Sequence, residues 1–374
     1  MLVLHAPAAD LGALAAMSAA PAVLVGLIAG PRLDRHRRRP VMIGADLGRA
    51  ALLLIIPIAA LAHRLVMAEL YLVAALVGAA SVLFDMADHA YLPSLVDRNH
   101  LVAANARLSA TESTAEIGGP ALAGVLVSLL TAPIAIAVNA VTYLASAAIL
   151  ATIGHPEAAP PRAATPPSWR ADLLGGFRAL FAEPLIRPLF LTGVTSALFG
   201  AFFFALYTFF AVTTLRLTPA MLGVTIAVGG VGALVGASLA AWLGRRLGIG
   251  RALILAGLLE AAFTLLIPLA GGGPARAMAM LMAGQLFGDA LGTAFLIHAV
   301  SLRQAVLPGE VLGRVAGAFA AGAGLATVVG ALIGGALGGA IGARDTLFIS
   351  SAGLALAPLW CLASPIWRLK TAPA

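Results

Sequence analysis

Residues 220–243 read AMLGVTIAVGGVGALVGASLAAWL, and the chain then turns basic at Arg245 and Arg246. The stretch holds 24 residues without one ionisable side chain. Wound as an α-helix it is about 36 Å long, enough to cross a hydrocarbon layer of roughly 30 Å. Backbone polar groups find no water in lipid, so such a segment is a helix or a strand of a closed barrel. Apolar and polar residues do not alternate here, which excludes the barrel strand.

Outward from this stretch, comparable blocks fill the chain. They lie near 11–31, 41–62, 68–88, 108–130, 133–153, 185–212, 252–270, 277–299, 315–341 and 346–366, making eleven with the first. Of the 374 residues, 61% are hydrophobic and 10% charged, with a mean hydropathy of +1.01; soluble domains carry about a quarter charged residues. The expected fold is an all-α polytopic membrane protein, with the lipid bilayer as its first partner. After the fifth block, Pro160, Pro161, Pro166 and Pro167 mark a linker. Its second part, 169–181, sets Trp169, Leu173, Leu174, Phe177, Leu180 and Phe181 at helical spacing and is expected to form a short interfacial helix. The chain thus divides into a first bundle at 1–154, a linker at 155–184 and a second bundle at 185–374.

The net charge of +7 would suggest nucleic acid in a soluble protein. Here the basic residues sit in short loops, so they report topology and no nucleic-acid partner is expected. With loops placed on alternate sides, 18 of the 23 basic residues share one side, Arg32, Arg35, Arg37, Arg38, Arg39, Arg245 and Arg246 among them. Arg64, Arg216, Arg276 and Arg344 fall on the other, and Arg49 lies inside a helix. The arginine-rich side is the cytoplasmic one, and it holds the linker and the C-terminus. Cys361 is the single cysteine, the seven histidines are scattered, and no phosphate-binding G-x-x-x-x-G-K-[ST] loop occurs. No metal site, cofactor or enzyme activity is expected.

A shift of 211 residues aligns the two halves without a gap. Arg35 meets Arg246, Leu101 meets Leu312, and the run Gly119 to Gly124 falls on Gly330 to Gly335. At this shift the block at 185–212 corresponds to positions before Met1. The first half is therefore expected to lack one helix of a twelve-helix plan.

Gly26-Leu-Ile-Ala-Gly30-Pro-Arg-Leu-Asp34-Arg35-His-Arg-Arg38-Arg39 resembles the loop signature G-x-x-x-D-R-x-G-R-R of the major facilitator superfamily. Small residues at Gly26 and Gly30 permit close helix approach. By that resemblance Asp34 latches one conformation near the start of the helix at Val315, with Arg35 and Arg38 as partners. Arg37 stands where the signature has a turn glycine, and the second copy, Arg245-Arg246-Leu247-Gly248, keeps the glycine but lacks the acid. Ala115 to Gly124 looks like the antiporter motif G-x-x-x-G-P-x-x-G-G, carried here by Gly119, Pro120 and Gly124. The stretches at Asp46 to Arg49, Tyr91 to Val96, Ala104 to Ala106 and Leu312 to Val315 resemble the branch of macrolide and enterobactin exporters. The resemblance implies the major facilitator fold, eleven visible helices of twelve in two pseudo-symmetric bundles, in a bacterial inner membrane.

Ionisable groups inside a bilayer are costly and point to function. Asp289, four residues after Gln285, is the first candidate for protons or substrate. Glu112 and Glu116 are one turn apart, so their charges repel and one is suited to proton exchange. Asp46 and Arg49 are three apart and are expected to form a structural ion pair. The resemblance implies that the helix of Glu260 is peripheral, so Glu260 is expected to be structural or partnered, and Asp85, Asp88 and His89 a solvated cluster. Together these features describe a secondary transporter exchanging protons for amphipathic small molecules by alternating access. A lysophospholipid flippase and a truncated, non-transporting membrane protein stay open as alternatives. A monomer meets the needs of this mechanism, and the oligomeric state is left open.

Overall fold

The computed structural model describes residues 6–33, 36–96, 100–154 and 169–371. Asp34 and Arg35 of the basic signature lie outside the described residues, as do 155–168 of the linker. Among the described residues every regular element is helical. The first half comprises α1 (Ala8–Leu33), α2 (Arg38–Leu61), α3 (Met67–Leu95), α4 (Leu101–Leu129) and α5 (Ala132–Thr152). After α6 (Trp169–Ala182) come α7 (Ile186–Phe209), α8 (Pro219–Leu247), α9 (Ile249–Thr264), the short α10 (Leu266–Leu269), α11 (Pro274–Val306), α12 (Gly309–Ala340), α13 (Ala343–Leu356) and the short α14 (Leu359–Leu362).

Nine spans among the described residues are long and apolar enough to cross a membrane. The eleven expected spans thus stand at nine by that criterion, without α1 and α4. The first half of α4 carries Arg107, Glu112 and Glu116, which lowers its hydropathy. Several helices outrun their apolar blocks at the arginine-rich end: α3 continues to Leu95, α4 begins at Leu101, and α11 reaches Val306. Charge ends the fit to lipid but does not break a helix, so the winding continues into water. Asp85 and Asp88 accordingly lie inside α3.

The 211-residue shift holds in the helix bounds. The bounds of α1 move to 219–244, against Pro219–Leu247 for α8; those of α3 move to 278–306, against Pro274–Val306 for α11. Those of α4 become 312–340, inside Gly309–Ala340 of α12. Packing follows the same rule: α1 lies on α3 as α8 lies on α11, and α2 on α5 as α9 on α13. The halves join through α1 with α12 and α4 with α8. Helix α7 is seated on α12 and α13. Its place on α4 and α5 is taken by no described helix.

Two crossings bring the halves together. A Cβ on Gly124 would lie 2.5 Å from the Pro219 carbonyl oxygen and 3.1 Å from Gly223 Cα; one on Gly12 would lie 2.5 Å from Gly335 Cα. Gly12 and Gly223 are 211 apart, and so are Gly124 and Gly335. One contact is thus the symmetry copy of the other. Both sit toward the end away from the arginine-rich loops. Nearer those loops, Gly313 and Gly317 of α12 meet nothing within 4 Å.

Helix α6 forms where its periodicity places it, but it docks on protein. A Cβ on Gly176 would sit 2.2 Å from the Arg314 carbonyl oxygen, and Leu180 is fully buried. Phe177 and Phe181 each meet the edge of Phe190 at 5.9 Å between centroids. Its apolar face therefore covers α7 and α12, while Leu174 stays exposed.

Candidate functional site

The basic signature divides between roles. Gly26 and Gly30 lie within α1, and Arg38 and Arg39 open α2. Arg39 Nε donates to the Leu150 carbonyl oxygen at 2.8 Å, and Nη2 donates to that of Ala151. A cation on the last carbonyls of α5 gains from the negative end of the helix dipole. Arg37 has φ −65° and ψ 133°, whereas Gly248, its copy in the repeat, has φ 81°. The arginine side chain excludes the left-handed conformation that the glycine adopts, and the two loops turn differently.

Asp46 and Arg49 are buried and hydrogen-bonded to each other through Arg49 Nη2 and Asp46 Oδ1. The guanidinium lies between the Phe84 and Tyr143 rings, 4.4 Å from each centroid, and its Nη1 donates to Ser81 Oγ at 3.4 Å. This tie holds α2 against α3 and α5.

Pro120 lies inside α4, and Gly124, one turn on, makes the crossing with α8. Gly119 meets nothing within 4 Å. The antiporter-like motif is thus built into the join between halves.

Nearer the arginine-rich end than this join is a cavity of about 440 Å³. Glu116 from α4 reaches it from the first half; Phe203, Phe204, Gly229, Gln285, Asp289 and Leu296 line it from the second. Glu112 is exposed and outside this lining. Asp289 Oδ2 lies against α8 where that helix has no side chain, 2.1 Å from where a Cβ on Gly229 would sit. An adjoining space of about 250 Å³ shares Phe203, Phe204, Gln285 and Asp289 and adds Glu260 and Thr264. Glu260 is therefore not peripheral, which corrects the expectation from sequence: α9 turns this residue inward, onto Gly292 of α11. The signal was present in the repeat, which carries the buried Arg49 onto Glu260. Among the described residues no basic side chain lines either space. Their walls are apolar and aromatic with a few convergent polar groups, which fits a small amphipathic molecule.

The description "Major Facilitator Superfamily" matches residues 1–331. An uncharacterized MFS-type transporter, YfiS of Bacillus subtilis (strain 168), is 29% identical over 330 residues, covering 84% of this chain and 75% of that one. Among solved structures, a bacterial homologue of the iron transporter ferroportin in its inward-facing state has a TM-score of 0.77 at 18% identity, covering 97% of this chain and 91% of that one. The nucleoside transporter NupG has a TM-score of 0.75 at 14% identity, with the same coverages. A bacterial homologue of the lysosomal transporter Spinster, inward-facing and unoccupied, has a TM-score of 0.70 at 14% identity, with coverages of 97% and 90%.

Proposed function

The chain belongs to the major facilitator superfamily, a multi-pass membrane transporter, and from that premise we propose that it is a proton-coupled exporter of amphipathic small molecules of the drug, macrolide or siderophore kind. What supports this is the meeting of Glu116, from the first half, with Asp289 and Gln285, from the second, on one aromatic cavity between the halves that no described basic residue lines. A carboxylate in such a place is costly unless it is neutralised by a proton or by a cation that replaces the proton. Binding one in exchange for the other couples export to the proton gradient.

Residues 1–154 and 185–374 act as the two bodies that rock, about the glycine crossings. The positive-inside rule puts the arginine-rich loops, the linker and the C-terminus in the cytoplasm of a bacterial cell, so the halves meet on the outer side.

The test is transport in proteoliposomes. With an imposed proton gradient, ethidium should be expelled from the compartment matching the cytoplasm, and a protonophore should abolish the movement. Movement of a fluorescent lysophospholipid with none of ethidium would instead establish the flippase, and movement of neither would establish a non-transporting protein.

A further inference from the structure

The two halves differ chemically at positions that the repeat makes equivalent. In the first half the interior of α2 is electrically closed, since Arg49 pairs with Asp46, stacks on Phe84 and Tyr143 and reaches Ser81. A shift of 211 residues turns Arg49, Asp46, Phe84, Tyr143 and Ser81 into Glu260, Gly257, Phe295, Leu354 and Gly292. The arrangement is kept: Gly257, Glu260, Phe295 and Leu354 line one small pocket. A Cβ on Gly292 would lie 3.0 Å from Glu260 Oε1. The charge is not kept. An acid stands in place of the arginine, and glycines stand in place of its counter-charge and its hydroxyl. The Glu260 carboxylate makes no hydrogen bond or ion pair with the described residues.

Asp289 is displaced from the repeat in the same way. Its first-half counterpart is Gly78, which packs on Ser18 as Asp289 packs on Gly229. The second half thus carries two acids, in one shared space, where the first half carries a neutralised arginine and a glycine. Gln285 lines that space as well, and its amide makes no hydrogen bond with the described residues, so it is open to an occupant. The charged or titratable groups on elements packed against α9 are Arg276, Asp289, His298 and Arg303 on α11, Arg344 and Asp345 on α13, Arg245 and Arg246 on α8, Cys361 on α14 and Arg368 beyond it. Of these, Asp289 alone lines the space with Glu260.

We propose that Glu260 is a second proton-exchanging carboxylate beside Asp289, so that the joined cavities take an organic dication in exchange for a proton from each. This rests on the proton-coupled function above. On binding, the O–H bond of each neutral acid breaks, both protons pass to water, and the two carboxylates pair the two positive charges. On release each carboxylate regains a proton. A monocation engages Asp289 alone, and Glu260 keeps its proton.

Ethidium and propidium share one aromatic ring system but carry one and two positive charges. The full chain, purified in detergent at low buffer strength, is titrated with each, and protons released per bound dye are read with a pH indicator. Propidium should release about twice as many protons as ethidium, because two carboxylates in an apolar space must each be neutral or paired. In E260Q the two dyes should release equal amounts, with an unchanged thermal melting transition in detergent as the check on folding. E260D should restore the difference, which a space-filling role would not require, since glutamine fills the same volume.

Doubled release surviving in E260Q, equal release by the two dyes in the wild type, or a loss that E260D does not reverse would each overturn the assignment of Glu260. Propidium binding that depends on sodium rather than releasing protons would also overturn it. Absence of release by the wild type with either dye would remove the proton-coupled function itself, and this inference with it.

Discussion

Asp289 and Gly229 act as a unit. A methyl on Gly229 would overlap Asp289 Oδ2 at 2.1 Å, so Gly229→Ala should push the carboxylate out of its seat and reduce gradient-driven efflux about tenfold, the effect of a 1.4 kcal/mol change. Gly118→Ala, in open space, should leave efflux unchanged in the same assay. Asp289→Asn fixes the neutral state and should keep ethidium binding while abolishing ethidium-induced proton release; Glu116→Gln, at an exposed position, should weaken efflux less. The buried Asp46–Arg49 pair sets a contrast, because its charges satisfy each other. Asp46→Asn should leave the guanidinium without its counter-charge and cost about 3 kcal/mol, read as a fall in thermal stability in detergent with the dye affinity of the folded fraction intact.

At the scale of elements, the crossings of α4 with α8 and of α1 with α12 depend on backbones that touch. Helices carrying larger side chains stand 8–10 Å apart, whereas glycine faces let them come closer. Gly223→Val would drive side-chain atoms into the Pro120 carbonyl, which lies 2.4 Å from the Cβ position. The expected outcome is a join that cannot close: Ser128→Cys with Ala220→Cys, neighbours through the 3.1 Å hydrogen bond from Ala220 N to Ser128 Oγ, should cross-link readily in an otherwise native chain and poorly when Gly223→Val is added. Loss of transport should accompany loss of the cross-link. Helix α5 is held at its end by Arg39, so a basic residue counted as a topology signal also has a structural task. Replacing it should loosen α5 in hydrogen exchange even where the orientation in the membrane is retained.

For the whole molecule, the repeat supplies two bodies of like shape and unlike chemistry. The first is closed electrically around Arg49, and the second keeps Glu260 and Asp289 facing open space. Rocking of such bodies exposes a midplane site to each side in turn. Substrate and proton should both favour separation at the glycine crossings, since each neutralises the carboxylates before the outer side opens. Cross-linking between positions 128 and 220 should therefore slow when ethidium is added, and slow less in Asp289→Asn. The join and the cavity are thus coupled through α4 and α8, which contribute to both.

Much of this was legible in the chain. Apolar blocks such as 220–243 determine helices in a bilayer because no other conformation pairs their backbone groups there, and the 211-residue shift anticipates helix bounds to within a few residues. The Asp46–Arg49 pair and the inward position of Asp289 follow from helical spacing and from the cost of charge in lipid. The sequence alone could not show which face of α9 turns inward, because in lipid the outer face of a helix is as apolar as the core and periodicity loses its meaning. The family resemblance puts the helix of Glu260 at the periphery, and only the contact of Glu260 with Gly292 and the space it shares with Asp289 set it in the interior. Likewise Gly124 is one of 41 glycines in the chain, and composition does not single it out. Its meeting with Gly223 is a matter of where two helices cross, which depends on the packing of all the others.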